Sequence, residues 1–158
     1  MTPLHIATIN GDLVAVKLLL EYGASVSVRN GQRRTALHLA VKGKLHEITE
    51  ELLNFKAKTN ERDLKRNTPL HTAAQYGDGI VANLLLKNGA DINLKNKQQM
   101  TALHCAVAFR NHEVMNELLN AKADVNAKNK SRNSPLAMAE CLGDEVAIQI
   151  LRNNGEKI

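Results

Sequence analysis

The sequence predicts an all-α solenoid of stacked helix-turn-helix units, and three observations carry that prediction. A six-residue box recurs five times at a constant step of 33 residues. Each box opens a short helix-forming stretch that ends beside a turn-forming residue. A second, apolar run follows, and then about ten polar residues lead to the next box. Neither stretch could bury its apolar side alone, whereas stacked neighbours can, which is the physics of a quasi-one-dimensional array. The 158 residues fit about one domain, expected as a single body over 1–158 with units 1–29, 30–62, 63–95, 96–128 and 129–158.

The first helix of each unit follows from its box. Thr2-Pro3-Leu4-His5-Ile6-Ala7 returns as Thr35-Ala36-Leu37-His38-Leu39-Ala40, Thr68-Pro69-Leu70-His71-Thr72-Ala73 and Thr101-Ala102-Leu103-His104-Cys105-Ala106. A degraded copy is Ser134-Pro135-Leu136-Ala137-Met138-Ala139. Thr or Ser ahead of Pro or Ala is an N-cap followed by a good first helical residue. The helix ends near Gly11, Gly77 or Gly143, where glycine adopts a left-handed backbone without penalty. The second helix starts at Asp12, Asp78 or Asp144 and ends at Gly23, Gly89 or Gly155. The leucines and alanines of the boxes are the expected continuous core.

The box and its period resemble the ankyrin repeat, whose hallmark is T-P-L-H-x-A every 33 residues. Gly89-Ala90-Asp91-Ile92-Asn93 and Ala123-Asp124-Val125-Asn126 also look like that family's loop after the second helix. The resemblance covers essentially the whole chain. It implies that the polar segments form projecting β-hairpins, and that partners bind in a concave groove lined by the finger tips and first-helix ends. It also places Asn93 and Asn126 where ankyrin-like proteins can be hydroxylated, against a simpler role in bracing the loop.

The two ends differ from the middle. The first box follows Met1 directly, and the run Leu13 to Leu20 is nearly all apolar, so a piece of a longer array is expected. Arg152 and Glu140 stand at positions that are otherwise mostly apolar, as in a terminal capping repeat. A second period of 66 residues overlies the first. Repeats two and four share Lys44 or Arg110 in place of glycine, the pairs His46-Glu47 and His112-Glu113, then Glu51 or Glu117, then Lys56 or Lys122. Lys44 and Arg110 are expected in a left-handed turn costing about 1–2 kcal/mol.

Catalytic and metal chemistry find no support in the residues. The four box histidines recur one per repeat, and helices stacked about 8–10 Å apart cannot share ligands near 2 Å from one ion. Each imidazole is expected to bond the Thr of its box and nearby backbone. His46 and His112 are expected as solvated surface residues. Cys105 occupies an apolar column and Cys141 a more exposed one, so a bond between them is not expected. No phosphate loop, dinucleotide fingerprint or nucleophile elbow occurs in the chain. The expectation is no enzyme, no cofactor and no metal. No apolar run approaches the roughly 18 residues that span a bilayer, and two cysteines point weakly to a reducing compartment. A soluble, intracellular protein, cytoplasmic or nuclear, is the resulting reading.

Charge is distributed unevenly. Segments 29–34, 62–67, 95–100 and 128–133 hold 11 of the 21 Lys and Arg residues against the single acid Asp63. The second helices hold ten of the sixteen acids and only Lys17, Lys87 and Arg152. A one-sign stripe along a finger edge would steer an anionic partner. Apolar anchors sit in the column Asn10, Gly43, Tyr76, Phe109, Leu142, beside Met100. Tyr22 and Phe55 are expected as partial core.

These features predict a non-catalytic, monomeric protein-recognition module. Its candidate binding residues are Arg34, Lys65, Arg66, Lys97 and Lys130 for acidic groups, with Tyr76, Met100, Phe109 and Leu142 for apolar side chains. Two alternatives stay open: binding of a polyanion such as nucleic acid or an anionic surface, and a structural spacer within a larger protein. The stripe lacks interleaved aromatics for base stacking, which weighs against nucleic acid.

Overall fold

A computed structural model describes residues 1–155. Ten helices run in pairs: α1 (Pro3–Ile9) with α2 (Leu13–Glu21), α3 (Ala36–Lys42) with α4 (His46–Asn54), α5 (Pro69–Tyr76) with α6 (Gly79–Lys87), α7 (Ala102–Ala108) with α8 (His112–Asn120), and α9 (Pro135–Leu142) with α10 (Glu145–Gly155). Within a pair the two helices pack on each other. Along the array each first helix packs on the next first helix, and each second helix on the next second helix. The result is a two-layer solenoid.

Local chemistry sets the ends of these helices. Thr2, Thr68 and Thr101 accept a hydrogen bond from the backbone N–H three residues on, and Ser134 does the same toward Ala137. Asp12, Asp78 and Asp144 accept from the third helical N–H of α2, α6 and α10. Gly11, Gly77 and Gly143 have φ of 69°, 70° and 60°. Lys44 and Arg110, which replace glycine there, have φ of 55°, as their alignment with Gly11 requires. Lys56 and Lys122 share the strained geometry at φ of 63° and 65°.

The core is the box column. Leu4, Leu37, Leu70 and Leu103 and the matching alanines are buried, joined by Val16, Leu52, Leu85 and Leu118 from the second helices. Each fully buried leucine contributes about 1.5–3 kcal/mol through the apolar area removed from water. Leu136 is half-buried. Arg152 Nη2 donates to Glu140 Oε1 at 3.1 Å, so the two polar substitutions of the last repeat meet each other.

Three expectations need correction. No β-strand forms among the described residues. The projecting loops are tight turns, each closed by one pair of backbone bonds such as Asn30 N–H to Arg34 O at 2.9 Å, too short for a ladder. Tyr22 is 88% exposed and contributes nothing to the core. Its ring belongs to a column, Tyr22, Phe55, Asn88 and Ala121, that is exposed in each of the first four repeats. Phe55 is 40% exposed. Third, His46 and His112 are not free in solvent. Nε2 of each lies 2.8 Å from a carboxylate oxygen of the next repeat, Asp78 or Asp144.

Candidate protein-binding surface

The projecting turns share one internal device. Asn30, Asp63, Asn96 and Asn129 each turn Oδ1 back onto the backbone N–H two and four residues later, at 2.8–3.1 Å. Such Asx turns are how short amide and carboxylate side chains organise a loop. The residue at the bend, Arg33, Arg66, Gln99 or Arg132, has φ between 57° and 62°. Consecutive tips are hydrogen-bonded to one another: Leu64 N–H to Gln32 O at 3.1 Å, Lys97 N–H to Lys65 O at 2.9 Å, Lys130 N–H to Gln98 O at 3.0 Å. Four loops remote in sequence thus form one row.

Box histidines anchor that row to the helices. In the first four repeats Nδ1 accepts from the Thr backbone N–H at 3.2–3.3 Å. Nε2 then donates across 29 residues to the carbonyl of Arg34, Asn67, Met100 or Asn133 at 2.9–3.1 Å. One nitrogen accepting and the other donating defines a neutral ring. Burial disfavours the charged form, so the pKa of His38 and His104 is lowered and that of His71 falls to about 4. These rings are struts, as their recurrence indicates.

The basic candidates separate into two groups. Lys65, Arg66, Lys97 and Lys130 are exposed along the tip row. Arg34 is half-buried, with Nε 3.6 Å from the buried Asp63 Oδ2, so part of its charge is already answered. Arg29 likewise pairs with Glu61, an acid just outside the counted segments. Lys95 Nζ donates to Lys128 O at 2.9 Å. The bases whose exposed side chains lie outside these contacts are Arg33 on the first turn, Lys65 and Arg66 on the second, Lys97 on the third, and Lys128, Lys130 and Arg132 on the fourth.

Apolar candidates occupy equivalent positions on consecutive first helices. Tyr76 ends α5, Phe109 caps α7 and Leu142 ends α9, and they are 41%, 56% and 39% exposed. The order α5, α7, α9 spaces them about 8–10 Å apart, the usual distance between packed helices. Lys42 Nζ sits 5.9 Å from the Tyr76 ring centre, a cation–π contact on the neighbouring repeat. Arg110 Nη2 donates to Leu142 O at 2.7 Å and braces the end of α9. Met100 is half-buried, and its carbonyl is the one that receives His71.

Other reactive groups lie elsewhere. Cys105 is buried, and burial pushes its thiol up to about 12, while Cys141 is exposed. Among the described residues no three His, Cys, Asp or Glu are placed to hold a metal ion. No described helix is long and apolar enough to cross a membrane. Asn93 Oδ1 accepts from Asp124 N–H at 3.1 Å, so this side chain braces the following loop.

Comparison with known proteins agrees with the geometry. A segment of 49 residues, 31% of this chain, is 41% identical to Alpha-latrotoxin-Lt1a of Latrodectus tredecimguttatus. The chain spans only 4% of that much longer protein. The family model for ankyrin repeats matches three overlapping stretches, 4–96, 42–129 and 70–158, which together leave three residues uncovered. With the box, the period and the stacked helix pairs, this establishes that the chain belongs to the ankyrin-repeat family, whose members mediate protein–protein interaction.

Proposed function

We propose that the chain is a non-catalytic recognition module that holds an acidic segment of a partner protein. Lys65, Arg66, Lys97 and Lys130 meet the partner's carboxylates, with Arg34 in a lesser role. Tyr76, Phe109 and Leu142, beside Met100, take its apolar side chains. The observation that supports this most is the hydrogen-bonded row of loop tips, which holds the unpaired bases in register before any partner arrives. A surface fixed in advance loses little entropy on binding. The module works as a monomer in an intracellular compartment.

Affinity capture with the intact chain, run beside Lys65→Glu/Arg66→Glu and Tyr76→Ala/Phe109→Ala, tests the reading. The charge-reversed variant should associate about tenfold more slowly with the captured partner at low salt, since long-range fields act on encounter. The aromatic-truncated variant should dissociate faster. Equal kinetics for all three would overturn the assignment. Binding of random-sequence DNA with a steep salt dependence would favour a polyanion instead.

A further inference from the structure

The 66-residue alternation has a consequence on the opposite face of the solenoid, where the second helices lie. In the column Val14, Glu47, Ile80, Glu113, Val146 and the column Leu18, Glu51, Leu84, Glu117, Ile150, apolar and acidic residues alternate from helix to helix. The middle of this pattern is a shallow depression over α6. Its floor is Ile80, 61% exposed, and the half-buried Leu84. Glu50 of α4 stands on one side, and Glu113 and Glu117 of α8 on the other. Lys87 is the one lysine lining it.

The walls are held in place. Asn83 Nδ2 donates to Glu117 Oε2 at 2.6 Å. Glu113 lies across the start of α6, where Gly79 has no side chain. A Cβ there would come within 2.5–2.7 Å of the Glu113 carboxyl and Cγ. Glycine at this position leaves open the volume that the Glu113 side chain occupies beside the apolar floor. His46, on the near side, is tied to Asp78.

We propose that this outer face is a second docking surface, for a basic amphipathic helix of a partner protein. Charge complementarity selects the occupant. An apolar side chain would seat on Ile80 and Leu84, and Lys or Arg on either flank would reach Glu50 and the Glu113–Glu117 pair. The axes of α4 and α8 are two helix spacings apart, about 16–20 Å, and Glu113 and Glu117 reach inward from α8 to α6. A partner helix rises 1.5 Å per residue, so bases up to about thirteen positions apart match this width. The face is opposite in sign to the finger edge, and the two can be occupied together.

The test uses the full chain and a synthetic 18-residue helical peptide, with two leucines at its centre and lysines on both flanks. Anisotropy titration at low salt should show saturable 1:1 binding. Glu113→Lys/Glu117→Lys should weaken it at least tenfold, and Ile80→Ser, an exposed position that leaves the fold intact, at least threefold. Lys65→Gln/Arg66→Gln should not weaken it, which separates this face from the finger edge. Circular dichroism of each variant checks folding. Insensitivity to Ile80→Ser, or equal binding of a lysine peptide lacking the leucines, would overturn the proposal by showing unspecific charge attraction. So would concentration-dependent self-association of the unliganded chain that Glu113→Lys/Glu117→Lys abolishes, since that assigns the face to a second copy.

Discussion

His112 Nε2 stands 2.8 Å from Asp144 Oδ2 across the boundary between the fourth and fifth repeats, and Asp144 also caps α10 through Ala147 N–H. Burial alone would raise the Asp144 carboxyl, but His112 and that N–H together hold it below the usual carboxylate range. One buried carboxylate thus serves a helix end and an inter-repeat tie. Asp144→Ala should cost more than Asp12→Ala, whose side chain caps α2 through Ala15 alone. A lost cap costs about 1 kcal/mol, and the lost tie adds about 1 kcal/mol. Urea denaturation of both variants, with a His112/Asp144 double-mutant cycle, measures the difference.

Acid should loosen the array before the carboxylates titrate. The pKa of His71 is near 4 in the folded chain against an ordinary 6.5, so the unfolded chain binds the proton more readily. The stabilisation is fully present above pH 6.5 and is lost as pH falls toward 4. For His71 alone that is on the order of 3 kcal/mol, and His38 and His104 act in the same direction. Thermal melts between pH 7.5 and 4.5 should show a progressive fall in Tm, and His71→Ala should flatten it.

Lys44→Gly should stabilise the protein by about 1 kcal/mol, because a left-handed backbone is costly for any residue with a Cβ. Arg110→Gly relieves the same strain at φ of 55° but forfeits the bond to Leu142 O, so its gain should be smaller. Equal gains in parallel denaturation curves would show that the Arg110 contact contributes nothing.

The two thiols should react in two stages. Cys141 is exposed, and Cys105 is 1% exposed with its thiol pushed up to about 12. At pH 8 a thiol reagent should label Cys141 within minutes and Cys105 only as the chain unfolds. Added denaturant should release the second signal along the unfolding curve.

Much of this was legible because each unit repeats its own evidence. The box fixed the caps, the core column and the strut role of His5, His38, His71 and His104, since five copies in phase leave few other geometries. The turns were less legible. Asn30, Asp63, Asn96 and Asn129 recur at the same period, and that signal could have revealed the Asx turns and ruled out strands. Nothing in the chemistry of Arg33, Arg66 or Arg132 announces a positive φ, because the neighbouring turn imposes it. His46 and His112 read as solvated from the sequence for a different reason. Their partners lie 32 residues away, and an inter-repeat contact shows in sequence only when columns from adjacent units are compared in pairs.

Those pairwise contacts also constrain how such a protein can change length. His46 and His112 reach forward to Asp78 and Asp144, while Glu51 and Glu117 reach back to Lys17 and Asn83. Excising the third unit would set His46 against Asn111 and drive Glu117 onto Glu50. Excising the second and third units together would join the first to the fourth and restore an odd-to-even junction. Evolution or engineering should therefore shorten or extend this array most readily by two units at a time.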